Sequence, residues 1–419
     1  MKIQRCKGTR DLSPEEMTCF RLIEGTFRDC CLKWGYQEVR TPTLEYLHLF
    51  TSTGTLTPAM LGRVYSFLDW DGWSGERVVL RPDGTIPVAR LYIDSMEGEG
   101  LAKLFYIANV FIFEETGKKT RERWQCGAEL IGAGSPLADV ELVMLALEVL
   151  KRLGLEGIEL RLSHAGLIRA LLAKLGLSPE EQTRIFDRIL DGDIEVLAKL
   201  KLERPELGRT LPSLLNLKGK APGFLKNLKA LFALDLPELK SYIDDFINIA
   251  ELLETLGCDY RIDIASGRGF EYYTGMIFQI FKGEEKIGGG GRYDALIPLM
   301  GGMDTPASGF ALYLDRLMNL VKPEALAKPP GQRILVRAKP ETVKEGFSTA
   351  QRLRGVGYRA EFYLGAQKKA DFNWTLDVQS KPPLFILTDR VKRQKFEAQT
   401  TSEVLSILRK ADADKSRAA

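Results

Sequence analysis

Six side chains have the types and spacing of a site for a small polar molecule. Gln125 and Glu129 lie four apart in Trp-Gln-Cys-Gly-Ala-Glu-Leu-Ile-Gly, so in a strand they share one face. Polar groups turned toward a core need partners, so they either line a pocket or mark an exposed face. Asp83 stands in the turn Arg81-Pro82-Asp83-Gly84-Thr85, and Arg268 precedes the adjacent tyrosines Tyr272 and Tyr273. Packing explains one buried tyrosine easily and two adjacent ones less so, because strand neighbours face opposite sides. The run Gly288–Gly291 lacks the Lys-Ser/Thr of a P-loop and the spacing of a dinucleotide fingerprint. It predicts a tight turn needing positive φ or a backbone that hugs a ligand. His48 and His164 are the only histidines, and neither neighbours a second ligand type at metal spacing, which argues against histidine-driven acid–base chemistry and a histidine metal site; no cofactor is expected. The cysteines, at 6, 19, 30, 31, 126 and 258, form no Cys-x-x-Cys pair and read as packed free thiols.

The elements that must position these groups are legible in the pattern. Phe105–Gly132 reads as strand, charged loop and strand, a long antiparallel hairpin with Gly117 at its turn. Ser13-Pro14-Glu15-Glu16 opens a helix that Gly35 closes. The Arg81–Thr85 turn opens a helix through Arg90, Ser135-Pro136 starts one to Leu153, and Ile158–Leu162 is a strand that Ser163 caps into another helix. Residues 178–257 are helical in pattern, and strands resume at Tyr260–Ile264 and Tyr272–Phe281. After Pro329-Pro330-Gly331, strand and helix patterns alternate to a helix over Thr401–Arg409, with Ala411–Ala419 expected to fray.

At 419 residues, 45% hydrophobic and 27% charged, the chain is too long for one core. No apolar run reaches the roughly 20 residues of a membrane span, so a cytoplasmic protein without membrane contact is expected. The net charge of +3 is uneven. Residues 331–419 carry 18 Lys and Arg against 10 Asp and Glu, a net +8, leaving −5 for the rest. A basic terminal part beside an acidic body signals nucleic-acid contact or, more commonly, a solvated basic face.

Taken together, the Gly35–Glu45 stretch with Pro42, the Arg81–Thr85 turn, the Asn109–Gly132 hairpin and Gly288–Arg316 occur in the order of class II aminoacyl-tRNA synthetase catalytic domains. More narrowly, Arg268-Gly269 with Tyr272-Tyr273-Thr274 and Gly290-Gly291-Arg292-Tyr293-Asp294 resemble the histidine-recognition motifs of histidyl-tRNA synthetase. The resemblance implies an α+β fold: a class II synthetase-like antiparallel sheet flanked by helices over residues 1–321, a helical insertion at about 178–257, and a small α/β domain similar to an anticodon-binding domain over 332–410. It also implies an amino-acid pocket. Asp83 would meet the ammonium, Gln125 and Glu129 the histidine's polar groups, Tyr272 and Tyr273 its imidazole, and Arg268 its carboxyl region.

Two departures from the synthetases decide the functional expectation. Where they carry an arginine for the ATP α-phosphate, anchoring on Asn109-Val110-Phe111 puts Ile112, and sliding to recruit Arg121 or Arg123 breaks one anchor or the other. That exchange removes a charge-assisted contact worth about 1.5–3 kcal/mol. Further on, Tyr313 replaces a glycine beside the adenine, while Arg316 keeps the position of the γ-phosphate arginine. A synthetase-like chain with a damaged ATP site resembles the regulatory subunits of ATP phosphoribosyltransferase, as do Leu80–Arg90 and Leu211–Gly219. That resemblance implies no catalytic residues, a homodimer core, a hetero-octamer with the short-form catalytic subunit, histidine as effector and no tRNA binding. An active histidyl-tRNA synthetase is the alternative, and an orphan paralogue that binds RNA or protein through its basic tail is the third.

Overall fold

The computed structural model describes residues 4–56, 61–69, 75–113, 120–173, 178, 181–182, 185, 218–219, 222–232, 239–264, 272–322, 332–365 and 372–418. Arg268, Gly117 and most of the 178–217 stretch lie outside them. The chain divides into two compact units, Met1–Leu326 and Ala327–Ala419.

The first unit is organised on a nine-stranded sheet. From edge to edge its strands are Gln37–Glu38, Ala102–Phe111, Glu122–Ile131, Ala307–Tyr313, Glu285–Arg292, Met276–Lys282, Ile158–His164, Tyr260–Asp263 and Lys218–Gly219. Neighbours run antiparallel except at Gln37–Glu38 with Ala102–Phe111 and at Ile158–His164 with Tyr260–Asp263. The two arms of the expected hairpin are its second and third strands, paired from Ala102↔Ile131 to Phe111↔Glu122. One face is core: Phe105, Phe278 and Phe310 lie buried there, and Phe27 of the helix Pro14–Lys33 packs on Phe105 at 6.0 Å and on Phe310 at 6.3 Å. That helix starts as its residues dictate. Ser13 accepts from the Glu16 amide at 3.2 Å, and Glu16 accepts from the Ser13 amide at 2.7 Å. It ends at Trp34 before Gly35, whose φ is +81°.

Several elements differ from the sequence pattern. Gly288–Gly291 lies inside the strand Glu285–Arg292 and needs no positive φ. A Cβ at Gly290 would come within 2.1 Å of the Gly309 carbonyl, and one at Gly291 within 2.4 Å of that of Met276. The run is glycine because adjacent backbones approach closely. Tyr272 and Tyr273 precede the strand, which begins at Met276, so the rule that neighbours face opposite sides does not bind them. Ser163 ends up inside a strand, donating to the Ile264 carbonyl at 2.7 Å; His164 Nδ1 instead accepts from the Leu167 amide at the start of the next helix. A smaller sheet of Leu44–Tyr46, Arg77–Leu80 and Ser66–Leu68 stands beside the main one. Among the described residues no helix is long and apolar enough to cross a membrane, and all six cysteines are free, with only Cys6 exposed.

The second unit is a five-stranded sheet in the order Arg359–Phe362, Arg333–Arg337, Trp374–Val378, Phe385–Asp389, Gln394–Ala398. The first three strands are parallel and the last two antiparallel. Trp374, Leu376, Leu353, Val404 and Leu408 form its core with the helices Val343–Gly355 and Thr401–Ala418. The strands Trp374–Val378 and Gln394–Ala398 were not read from the sequence, and the last helix continues through the stretch expected to fray.

Candidate functional site

The pairing register of the large sheet makes a trough on the face away from the Phe105 core. Residues paired across strands share a face. One row runs Tyr106, Gly127, Ala311, Gly289; the next runs Leu104, Glu129, Gly309, Gly291; a third places Ala108, Gln125 and Tyr313 side by side. Six glycines and alanines in adjacent strands leave the middle of that face without bulk, and the long side chains around them become walls. The missing side chains are required. A Cβ at Gly309 would lie 1.7 Å from Glu129 Oε2, and one at Gly127 2.2 Å from the Tyr106 ring. The resulting cleft has a cavity volume of about 30 Å³.

The Arg81–Thr85 turn closes one end. Arg81 is buried and spends its guanidinium on backbone and amide oxygens: Asn109 O at 2.8 Å, Thr41 O at 2.9 Å, Pro42 O and Asn109 Oδ1 at 3.1 Å. It therefore fixes the turn to the hairpin. Asp83 Oδ1 accepts from the Ile86 amide at 2.9 Å, at the amino end of the helix Thr85–Ser95, where a carboxylate is favoured. The Thr85 hydroxyl donates to Glu129 Oε1 at 2.8 Å, and the Tyr293 hydroxyl donates to Glu129 Oε2. Arg292 holds the base of Tyr293 in place through Asp139, at 3.0 and 3.1 Å.

Burial governs the electrostatics. Glu129 is fully enclosed, and burial pushes its carboxyl up to about 8 although both hydroxyls pull it down. Burial lifts Asp83 to about 6 against the backbone N–H groups that oppose it, and Asp139 to about 7 against Arg292. The Tyr272, Tyr273 and Tyr293 phenols are driven well above their ordinary value by the same cause. The site is thus a set of neutral hydroxyls around two carboxyls that hold their protons unusually tightly. Among the described residues no group of three or more His, Cys, Asp and Glu is placed for a metal ion.

The structure brings most of the expected residues together. Asp83, Gln125, Tyr272 and Tyr273 line the cleft, the two tyrosine rings 5.1 Å apart, and Glu129 lies beneath it through Thr85 and Tyr293. Thr85 and Tyr293 belong to the motifs that pointed here, but their bonds to Glu129 needed the fold. At the other end Tyr313 lines the cleft, with the Arg316 guanidinium 5.2 Å from its ring centre and donating to the Lys286 carbonyl. Ile112 follows the strand end, half-buried and away from the cleft lining.

With this geometry in view, the likeness to known proteins is specific. The family model described as Histidyl-tRNA synthetase matches residues 8–317. An ATP phosphoribosyltransferase regulatory subunit from Dehalococcoides mccartyi is 53% identical over 97% of this chain and 98% of its own length. A histidine–tRNA ligase from Methanosarcina acetivorans is 35% identical over 84% of this chain and 83% of its own. The crystal structure of an ATP phosphoribosyltransferase regulatory subunit/histidyl-tRNA synthetase from Bacillus halodurans superposes with a TM-score of 0.73 at 26% identity, covering 88% of this chain and 96% of that one. The class II synthetase-like fold expected from the motifs is the fold observed, and the chain belongs to the histidyl-tRNA synthetase family, in its branch of ATP phosphoribosyltransferase regulatory subunits.

Proposed function

We propose that this chain is the non-catalytic regulatory subunit of a cytoplasmic ATP phosphoribosyltransferase, required for the activity of the short-form catalytic subunit and for feedback control by histidine in the first step of histidine biosynthesis. It forms a homodimer core, assembles with the catalytic chains into a hetero-octamer and takes histidine between Asp83, Gln125, Glu129, Tyr272 and Tyr273, with Arg268 as a further contact. It works through no cofactor and does not bind tRNA; the 332–410 domain is anticodon-binding-like in descent only. One observation supports this reading: Asp83, Gln125, Tyr272 and Tyr273 line one cleft together with Tyr313, which is paired in register with Gln125 and stands where the synthetase resemblance implies the nucleotide side. Packed sites do not absorb a phenol without cost. Feedback then requires histidine to favour one assembly state, typically by about 1–3 kcal/mol.

The test mixes the purified chain with a short catalytic subunit. Co-elution on gel filtration, gained phosphoribosyl transfer and its loss on adding histidine are expected; separate elution with no gain of activity overturns the reading. The retained Arg316 favours a second reading, an active histidyl-tRNA synthetase. Robust histidine-dependent exchange of pyrophosphate into ATP by the isolated chain would establish that one instead.

A further inference from the structure

Of the two histidines only His164 is buried, 1% exposed, and it uses both ring nitrogens. Nδ1 accepts from the Leu167 amide at 3.2 Å, so it carries no hydrogen. The ring hydrogen is then on Nε2, which faces Asp245 Oδ2 at 3.4 Å. Asp245 belongs to the helix Lys240–Thr255, whose Tyr242 and Phe246 rings lie 5.8 and 5.7 Å from the imidazole. That helix lies in the stretch expected as an insertion. It is tied to the helix Pro222–Phe232 of the same stretch by Lys226 with Glu251 at 2.6 Å and by Lys229 with Asp244.

The residues after His164 meet the residues after the tyrosine pair. His164 is paired in register with Met276, and the Ala165 amide donates to the Gly275 carbonyl at 2.8 Å. At Gly166 a Cβ would lie 2.7 Å from the Tyr242 ring and 2.9 Å from the Thr274 carbonyl oxygen. Gly166 sits in the helix Ala165–Ala173 without positive φ, so its lack of a side chain answers crowding from both sides. Opposite, the Thr274 amide donates to the Arg292 carbonyl at 2.8 Å, and the Asp294 amide donates to the Thr274 hydroxyl at 3.0 Å. Thr274 and Gly275 are thereby clamped from two sides, and Tyr272 and Tyr273, which line the cleft, stand directly before them. We propose that His164 is a positioning residue: through Asp245 it holds the helix Lys240–Thr255 against the junction that sets Tyr272 and Tyr273, so that amino-acid binding in the cleft and the packing of that helix depend on each other. The inference rests on the reading of the cleft as an amino-acid site. It adds how occupancy of that site reaches the helical stretch, and the dependence runs equally in both directions.

The test compares the full chain with its Asp245→Ala and Asp245→Asn variants, because asparagine still accepts from Nε2–H and alanine does not. Calorimetry with free histidine should show about 10-fold weaker binding by Asp245→Ala, the worth of one hydrogen bond to a charged group, and affinity near the parent's for Asp245→Asn. Hydrogen exchange of the Lys240–Thr255 amides should slow when the parent is saturated with free histidine, and much less in saturated Asp245→Ala. Parent-like affinity in Asp245→Ala, whatever its melting temperature, means that the bond only stabilises the fold and overturns the assignment. A loss of affinity that Asp245→Asn shares overturns it too, as does exchange in that helix that free histidine leaves unchanged in the parent. Should Asp245→Ala not fold, His164→Asn, which keeps an acceptor for the Leu167 amide but falls short of Asp245, takes its place with the same expected and overturning results. Failure of the parent chain itself to bind free histidine overturns the amino-acid reading and this inference with it.

Discussion

At the Asp83 end of the cleft, polar groups deep in the protein are held by named partners: Glu129 by Thr85 and Tyr293, Asp83 by the helix amide of Ile86, and Arg292 by Asp139. At the Tyr313 end the space is occupied by a phenol with a guanidinium beside it. Both ends share the strands Glu122–Ile131 and Ala307–Tyr313, and Gln125 and Tyr313 are paired in register. The fold therefore imposes no common fate on them. On the proposed reading, retaining one end requires many residues to agree across distant segments, whereas closing the other takes only the changes at Ile112 and Tyr313.

The largest effect that would break this contrast lies at Glu129. Glu129→Ala removes the acceptor shared by two buried hydroxyls, each such bond to a charged or strongly polar group being worth about 1.5–3 kcal/mol. Histidine affinity by calorimetry should fall by about 100-fold or more, with histidine inhibition of the assembled complex lost in parallel; Tyr272→Phe should weaken both by about 10-fold. If inhibition survives both changes, histidine acts elsewhere, for example at a subunit interface, and the Asp83 end is a relic.

The second test opens the other end. Tyr313→Gly with Ile112→Arg removes the obstructing ring and returns the cation that the synthetase resemblance places at the α-phosphate. ATP binding by the double variant should exceed that of the parent by about 10-fold, the worth of one charge-assisted contact at the low end of its range. Equal ATP affinity in parent and variant would mean that the nucleotide side was never closed by these two residues, and the contrast between the ends would lose its physical cause.

How much of this could be read beforehand depended on whether local or cross-strand information was required. The capping box at Ser13, the hairpin and the Asp83 turn carry their signals within a few residues, and all three stand where the sequence put them. Of the two readings of Gly288–Gly291, the positive-φ turn fails because the demand for glycine comes from the Gly309 and Met276 carbonyls on neighbouring strands, while Gly289 and Gly290 do line the cleft. Tyr293 could not be joined to Glu129 because 164 residues separate them and only the strand register brings them together. Gln394–Ala398 was missed because it is an edge strand of the second unit with mostly exposed residues, so its composition is that of a loop.

The smallest expected effect sharpens the comparison through pH. Burial raises Glu129 from 4.5 to about 8 and Asp83 from 3.8 to about 6. Between the unfolded and folded values the native chain holds protons that the unfolded chain releases, so stability falls as pH rises. The contribution of Glu129 is fully present below about pH 4.5 and is lost as pH climbs through about 8; that of Asp83 is lost earlier, by about 6. Melting temperatures of the ligand-free chain should therefore decline between about pH 5 and 8.5, and Glu129→Gln, which stays neutral throughout, should decline less steeply. Tyr313→Phe, which changes the other end and leaves Glu129 and Asp83 in place, should leave the slope as it is. Parallel slopes for the parent and Glu129→Gln would mean that Glu129 is ionised in the folded chain. The Asp83 end would then hold a fixed anion, and a ligand entering it would be selected for positive charge at the Glu129 position and not merely for its hydrogen-bond donors.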